Sequence, residues 1–299
     1  MEKIFGVLLN GLSMGAIYAL LALGFVLIFK STGILNFAHG ELAMIGAFVC
    51  YSLAMQYGLP YFIAFMLAIA FGALLGAVVE MVFFRRMVGE PIFSTIMITV
   101  GLASILTSVA GVVWGHDVYP LRGPFTDKTV LIGGAVIGQG AVYTLLISLV
   151  LIGVFALFFT RSLLGVSMKG TAEDPHTASL MGINVNRIHM VAWAIGGLVA
   201  AMAGIFLADQ SFVRLSMSHT GIKAMSAAIL GGMESIRGAV VGGLLVGIVE
   251  GLAANYLSGA VIGGFHFGDI KEVAAFAIMI VVLMIRPQGI FGSEKVERV

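Results

Sequence analysis

The chain has 299 residues, 60% of them hydrophobic and only 10% charged, and its mean hydropathy is +1.09. Ordinary soluble domains carry about 25% charged residues, so the charge here cannot coat a water-facing surface of this size; soluble enzymes and receptors are excluded, and the solvent must be lipid. Sixteen Lys and Arg against fifteen Asp and Glu leave +1, with no basic stripe to mark a nucleic-acid partner, and the single Cys50 cannot form an intramolecular disulfide.

In chain order, residues 4–29 form an uncharged run that reaches about 39 Å at roughly 1.5 Å per residue. That crosses the roughly 30 Å hydrocarbon layer with tilt and is too long for a signal-peptide core, so the segment is expected to be retained. Further apolar runs lie at 35–57, 61–84, 92–114, 141–160, 189–208, 221–233, 238–257 and 270–285. The expected fold is all-α: a polytopic transmembrane bundle of about 8–10 segments, with nine as the working count, forming one domain over residues 1–299. The run at 221–233, interrupted by Lys223, is short and reads as a half-helix packed inside protein. The last run gains a start signal from Asp269 to Glu272, a capping box. Alternating nine crossings with residue 161 onward in the cytoplasm puts the N-terminus outside, ten basic residues inside and six outside, a modest bias in favour of that orientation.

All six prolines fall in loops or at helix starts, where a missing N–H costs least. The forty glycines, about twice the usual share, concentrate inside the spans. Gly11/Gly15, Gly72/Gly76, Gly238/Gly242 and the ladder Gly243, Gly247, Gly251 repeat every four residues, which lets helix backbones approach closely where lipid gives no hydrophobic drive to pack. Gly238 and Gly242 do not share a line with Gly243 and Gly247, so two partners are expected for that helix. Thr32-Gly33-Ile34 and Thr220-Gly221-Ile222 form a weak echo that could mark repeated halves.

Residues 161–189 are too long for a simple helix connection, commonly 2–8 residues. Asp174 before Pro175 is an N-cap followed by proline at the first helical position, and Gly182 can close a two-turn helix with positive φ. Glu173 flanks it, and Ala178, Leu180, Met181 and Ile183 supply an apolar face. That face suits either an interfacial helix lying on the bilayer or a docking peg for a cytoplasmic partner.

Ala172-Glu173-Asp174 followed by residues 178–184 resembles the cytoplasmic coupling loop of the branched-chain amino acid ABC permease family, in its high-affinity H-type subunit. Residues 34–41 with 44–46, 223–224 with 228–232, Ser235-Ile236, 238–243 and the tail 287–292 extend the resemblance over nearly the whole chain. It implies an importer in the inner membrane in which a periplasmic binding protein delivers cargo, this chain and a related M-type permease form the path, and two ATPases bind ATP and Mg. The chain itself is then no enzyme and holds no cofactor. Coupling falls to Glu173, Asp174, Ala178, Leu180, Met181 and Gly182. Glu234 and Arg237 depart from the family pattern, which has Gly and often Pro there.

The residues agree on what is missing. No Gly-Lys dipeptide occurs, so there is no P-loop, and no His-Glu-x-x-His or Cys/His cluster offers a zinc site. No catalytic residue or metal ligand is expected. Asn36, His39 and Glu41 cluster early in the second run, where polar groups must either pair inside the bundle or line a translocation path. Glu250 is the most deeply placed acid. A secondary transporter coupled to H⁺ or Na⁺ through Glu41 or Glu250 is the alternative, and the capped cytoplasmic helix argues against it.

Overall fold

The computed structural model describes residues 2–87, 90–124, 128–132, 135–257, 261–262, 265–266 and 270–292. Helix α1 (Glu2–Thr32) ends where Thr32 folds its hydroxyl back onto the Ile28 carbonyl and Gly33 adopts φ +71. An irregular stretch then leads to α2 (His39–Tyr51), which runs on as a π turn to Gln56. Helices α3 (Tyr61–Val79, with a π turn Glu80–Phe84) and α4 (Ile92–Trp114) each start behind a proline, Pro60 and Pro91. An antiparallel hairpin, β1 (Thr129–Ile132) and β2 (Ala135–Gly138), precedes α5 (Gln139–Arg161).

The connection after α5 holds two helices. The first, α6 (Leu163–Glu173), is an addition to the single capped helix expected there; Ser162 caps it by accepting from the Gly165 N–H at 3.0 Å. Helix α7 (Pro175–Leu180) follows, then α8 (Val185–Gln210), capped by Asn184. A 3₁₀ turn (Leu215–His219) leads into α9 (Thr220–Gly231); Ser235 caps α10 (Ile236–Tyr256). The pair β3 (Val261–Ile262) and β4 (Phe265–His266) precedes α11 (Ile270–Ile285). Asp269, the first residue of the expected capping box, lies outside the described residues.

Six of these helices, α1, α3, α4, α5, α8 and α10, are long and apolar enough to cross a bilayer. The twelve residues of α9 extend about 18 Å, well short of a crossing. Helices α1 and α8 are buried along most of their length, while α4 and α5 expose apolar side chains such as Val112, Val113, Val150 and Leu157. The bundle therefore has a protein-facing centre and a lipid-type rim, with α1 against α10, α8 and α5, and α3 and α2 against α8.

Glycine sets these contacts. Helices α1 and α10 run antiparallel with Gly11, Gly15 and Ala19 facing Gly251, Gly247 and Gly243; α3 and α8 meet through Gly72, Gly76 and Gly197. A Cβ at Gly247 would fall within the Gly15 backbone, and one at Gly76 on the Trp193 carbonyl. Gly238 and Gly242 instead face Gly231 and Ala227 of α9. The two lines do serve two partners, and both are helices of this chain; the M-type permease that the resemblance implies as a neighbour is not needed to fill either line. The tail folds back on α9, where the Ile290 and Phe291 amides donate to the Leu230 and Gly231 carbonyls at 2.9 and 3.0 Å. The Thr-Gly-Ile echo dissolves: Gly33 ends a helix with positive φ, whereas Gly221 sits in the first turn of α9.

Candidate functional site

The two short helices α2 and α9 begin against each other inside the bundle. Gly40 packs on the Ser218 carbonyl and on Gly221, so neither helix start could carry a side chain at that crossing. Asn36 is fully buried and turns the chain by accepting the Ala38 N–H at 3.0 Å, while its backbone carbonyl takes the His39 N–H at 3.2 Å. His39, also fully buried, packs its ring 4.5 Å from that of Phe25 and beside Gly24, where a side chain would collide with the imidazole. Glu41 lies beside Ser218. Asn36 lies in the irregular stretch and His39 and Glu41 in the first turn of α2, with Glu41 only partly buried; the three do not pair with one another, and none borders the polar cavity between α1, α9 and α10.

That cavity, of about 510 Å³, lies between α1, α9, α10, α11 and the segment after α8. In its wall, side chains from three helices meet. Glu250 of α10 takes the Tyr18 hydroxyl of α1 on Oε2 at 2.5 Å and the Lys223 ammonium of α9 on Oε1 at 2.8 Å. Arg214 and His219 stand on its rim. A charge in the centre of a membrane helix costs roughly 2.5–3.5 kcal/mol on insertion scales, and pairing Lys223 with Glu250 offsets that cost for both. Sequence reasoning named Glu250 and Lys223 separately and missed Tyr18. The available signal was that Tyr18 is the one large polar side chain in the interior of the first apolar run.

At one end of the bundle, the end of α1 and the stretch after it, the segment between α3 and α4, the start of α4, α7 and the start of α8 surround a smaller cavity of about 300 Å³ lined by Thr32, Met87, Ile92, Pro175 and His189 among others. Near it Lys30 donates to the Glu234 carbonyl at 2.7 Å, which ties α1 to the turn before α10; Arg237 points outward from that turn. Glu80 is buried and pairs with Arg85 at 3.5 Å.

The capped segment stands at this same end. Asp174 accepts the His176 N–H at 2.9 Å and the Thr177 hydroxyl, and these bonds, the hydroxyl first, hold its carboxyl below the usual aspartate range. Gly182 closes the helix at φ +84, a conformation that glycine adopts without strain. The expected apolar face divides in two. Ala178 and Ile183 turn inward, because six residues make too short a helix to keep four apolar side chains on one side, while Leu180 and Met181 are 74% and 79% exposed. Glu173 is exposed beside them.

Among the described residues no group of three or more His, Cys, Asp or Glu side chains could hold a metal ion. Gly11-Leu12-Ser13-Met14-Gly15 spells the Gly-x-Ser-x-Gly of serine hydrolases, contrary to the expectation that the chain carries no such motif. It lies within α1 rather than on a strand-to-helix turn, and Ser13 is occupied in joining helices: it donates to the Ala141 carbonyl and accepts from Gln210, each at 2.8 Å.

An α-helical bundle with membrane-length helices at its rim, backbone-packed helices at its centre and an ion pair beside a partly open polar cavity belongs to the class of polytopic membrane permeases. Residues 7–283 match the family described as the branched-chain amino acid transport system permease component. The chain is 35% identical to the high-affinity branched-chain amino acid transport system permease protein BraD of Pseudomonas aeruginosa, over 98% of this chain and 97% of that one. It is 30% identical to the corresponding LivH of Escherichia coli K12, over 97% and 96%. The ribose import permease protein RbsC of Escherichia coli K12 is 24% identical over 92% of this chain and 84% of its own. Among solved structures, PsaBC from Streptococcus pneumoniae in complex with Fab superposes with a TM-score of 0.52 at 14% identity, covering 96% of this chain and 92% of that one, a likeness of fold alone. The chain belongs to the branched-chain amino acid transport permease family. It is a multi-pass membrane permease component, not an enzyme.

Proposed function

We propose that the chain is the H-type permease subunit of an ATP-driven importer that moves branched-chain or related aliphatic amino acids across the inner membrane by alternating access. The observation that carries this reading is end-to-end similarity to two high-affinity branched-chain amino acid permeases. In this reading an M-type permease completes the path, a periplasmic binding protein delivers cargo, and two ATPases hold ATP and Mg; this chain binds no cofactor.

The end of the bundle that carries α7 is then cytoplasmic, and Leu180 and Met181 are the side chains an ATPase would cover. Glu173, Asp174, Ala178 and Gly182 shape and orient that short helix. ATP favours one arrangement of the bundle only through contacts that differ between the two arrangements, and α7 is the element placed to make them. Asn36, His39 and Glu41 act as the buried pivot between the starts of α2 and α9 rather than as cargo ligands. Coupling to H⁺ or Na⁺ through Glu41 or Glu250 is the second reading, and it gives no use to the capped helix α7 with its two exposed apolar side chains.

The test is uptake of labelled leucine into proteoliposomes that contain this chain with its companion permease and ATPases, supplied with loaded binding protein. Uptake should require ATP and survive collapse of H⁺ and Na⁺ gradients. Uptake that continues without ATP and stops when a gradient is removed would favour a secondary transporter.

A further inference from the structure

We propose that the cavity around Lys223 and Glu250 is the place where the permease receives its cargo, and that this ion pair reads the cargo as a zwitterion. The inference rests on the reading above that the cargo is an amino acid, and it extends that reading to particular atoms.

At about 510 Å³ the cavity lies within the roughly 300–1,000 Å³ typical of small-molecule sites, and polar and apolar groups share its wall. Met14, Leu207, Met217 and Phe276 offer an apolar side for an aliphatic side chain. The charges are arranged for exchange. An amino acid brings one ammonium and one carboxylate, and either would be costly to place unpaired in a low-dielectric interior. Lys223 can turn from Glu250 Oε1 to the cargo carboxylate, with Arg214 on the same wall, while the freed Oε1 takes the cargo ammonium. One ion pair becomes two, and the net charge of the site does not change. Tyr18 makes this workable: it holds the other carboxylate oxygen, Oε2, so Glu250 keeps its orientation while Lys223 moves. The pair is not sealed in: both side chains keep some exposure, 14% for Lys223 and 13% for Glu250, and both border the cavity, within reach of a molecule that enters it.

The experiment uses the complete transporter carrying Glu250→Gln together with Lys223→Met. Replacing both members of a buried pair by neutral groups often leaves stability intact, whereas removing one leaves an unpaired charge. The readout is leucine taken up per ATP hydrolysed at saturating loaded binding protein, a ratio that the amount of assembled protein does not affect. The double variant should assemble, and the ratio should fall about tenfold or more, the scale of a lost charge-assisted hydrogen bond. An unchanged ratio would overturn the assignment. If the double variant does not assemble, the single variant Ser216→Cys replaces it, since Ser216 lines the cavity and the native Cys50 is buried. A charged thiol reagent should then label residue 216, and leucine-loaded binding protein with ATP should slow the labelling several-fold; labelling indifferent to cargo would overturn the assignment. Should the unaltered transporter fail to accumulate leucine, isoleucine or valine, the cargo reading falls and takes the assignment with it. Normal accumulation with an unchanged ratio refutes the assignment alone.

Discussion

The seam between α1 and α10 and the capped segment at α7 are held in opposite ways. In the seam, Gly11, Gly15, Gly243 and Gly247 bring two backbones together until no added side chain would fit. At α7, one short helix is fixed by Asp174 at its start and Gly182 at its end, while Leu180 and Met181 stand in the open. Steric exclusion along whole turns makes the first region rigid, and it moves only as a unit. Local capping makes the second definite in shape with little packing behind it, which suits a surface completed by another subunit.

The sharpest way to break this comparison is to put a side chain into the seam. Leu at Gly247 must push α1 away from α10 along their full contact, a larger disturbance than the overpacking that costs about 1–3 kcal/mol in an ordinary core. We expect Gly247→Leu to abolish recovery of folded, assembled transporter on size exclusion. Val241→Leu, at a partly exposed position of the same helix, should elute as the parent does. Equal recovery of the two variants would show that the seam is not where the bundle is held.

The second largest effect belongs to the end segment and should leave the seam alone. Proline at Gly182 cannot adopt φ +84, since its ring fixes φ near −65°, so the turn into α8 must rearrange. Gly182→Pro and Leu180→Asp should both insert and assemble, and both should lose uptake driven by ATP hydrolysis. Normal stimulation of the ATPase together with normal uptake in either variant would count against docking at α7.

These two regions also differ in how far they could be read from the sequence. Gly243, Gly247 and Gly251 announce a packed face by spacing alone, and Asp174-Pro175 announces a helix start by local chemistry; both signals lie within a few residues of each other. Which helix the glycines meet is a tertiary matter: α1 fills the line of Gly243 and Gly247, and α9 fills that of Gly238 and Gly242. Helix α6 was missed because residues 163–173 mix apolar, polar and glycine residues without the long apolar run that marks a span. The Thr-Gly-Ile echo failed because the same triplet can end a helix or begin one, depending on the φ of its glycine. Lys223 and Glu250 were each visible as costly charges, but nothing local says that they pair, and Tyr18 joins them from more than two hundred positions away.

The smallest expected effect sharpens the account of the capped end. Asp174 is fully exposed, and its carboxylate is held by the Thr177 hydroxyl and by backbone N–H groups, so its folded pKa lies below its unfolded value. For an acid shifted in that direction, the stabilisation is complete above the unfolded pKa, about 3.9 for aspartate, and disappears as pH falls through the lower folded value. Near neutral pH the cap should therefore be insensitive to acidity. Hydrogen exchange at the amides of residues 176–178 should stay constant from neutral pH down to the ordinary carboxylate range, after correction for the intrinsic pH dependence of exchange, and rise only below it. Asp174→Asn keeps a side-chain acceptor without a titratable group and should remove that rise, while Asp174→Ala should speed exchange at every pH. An Asp174→Asn variant whose acid-dependent rise matched the parent's would place the rise elsewhere, and α7 would then owe its shape to something other than its cap.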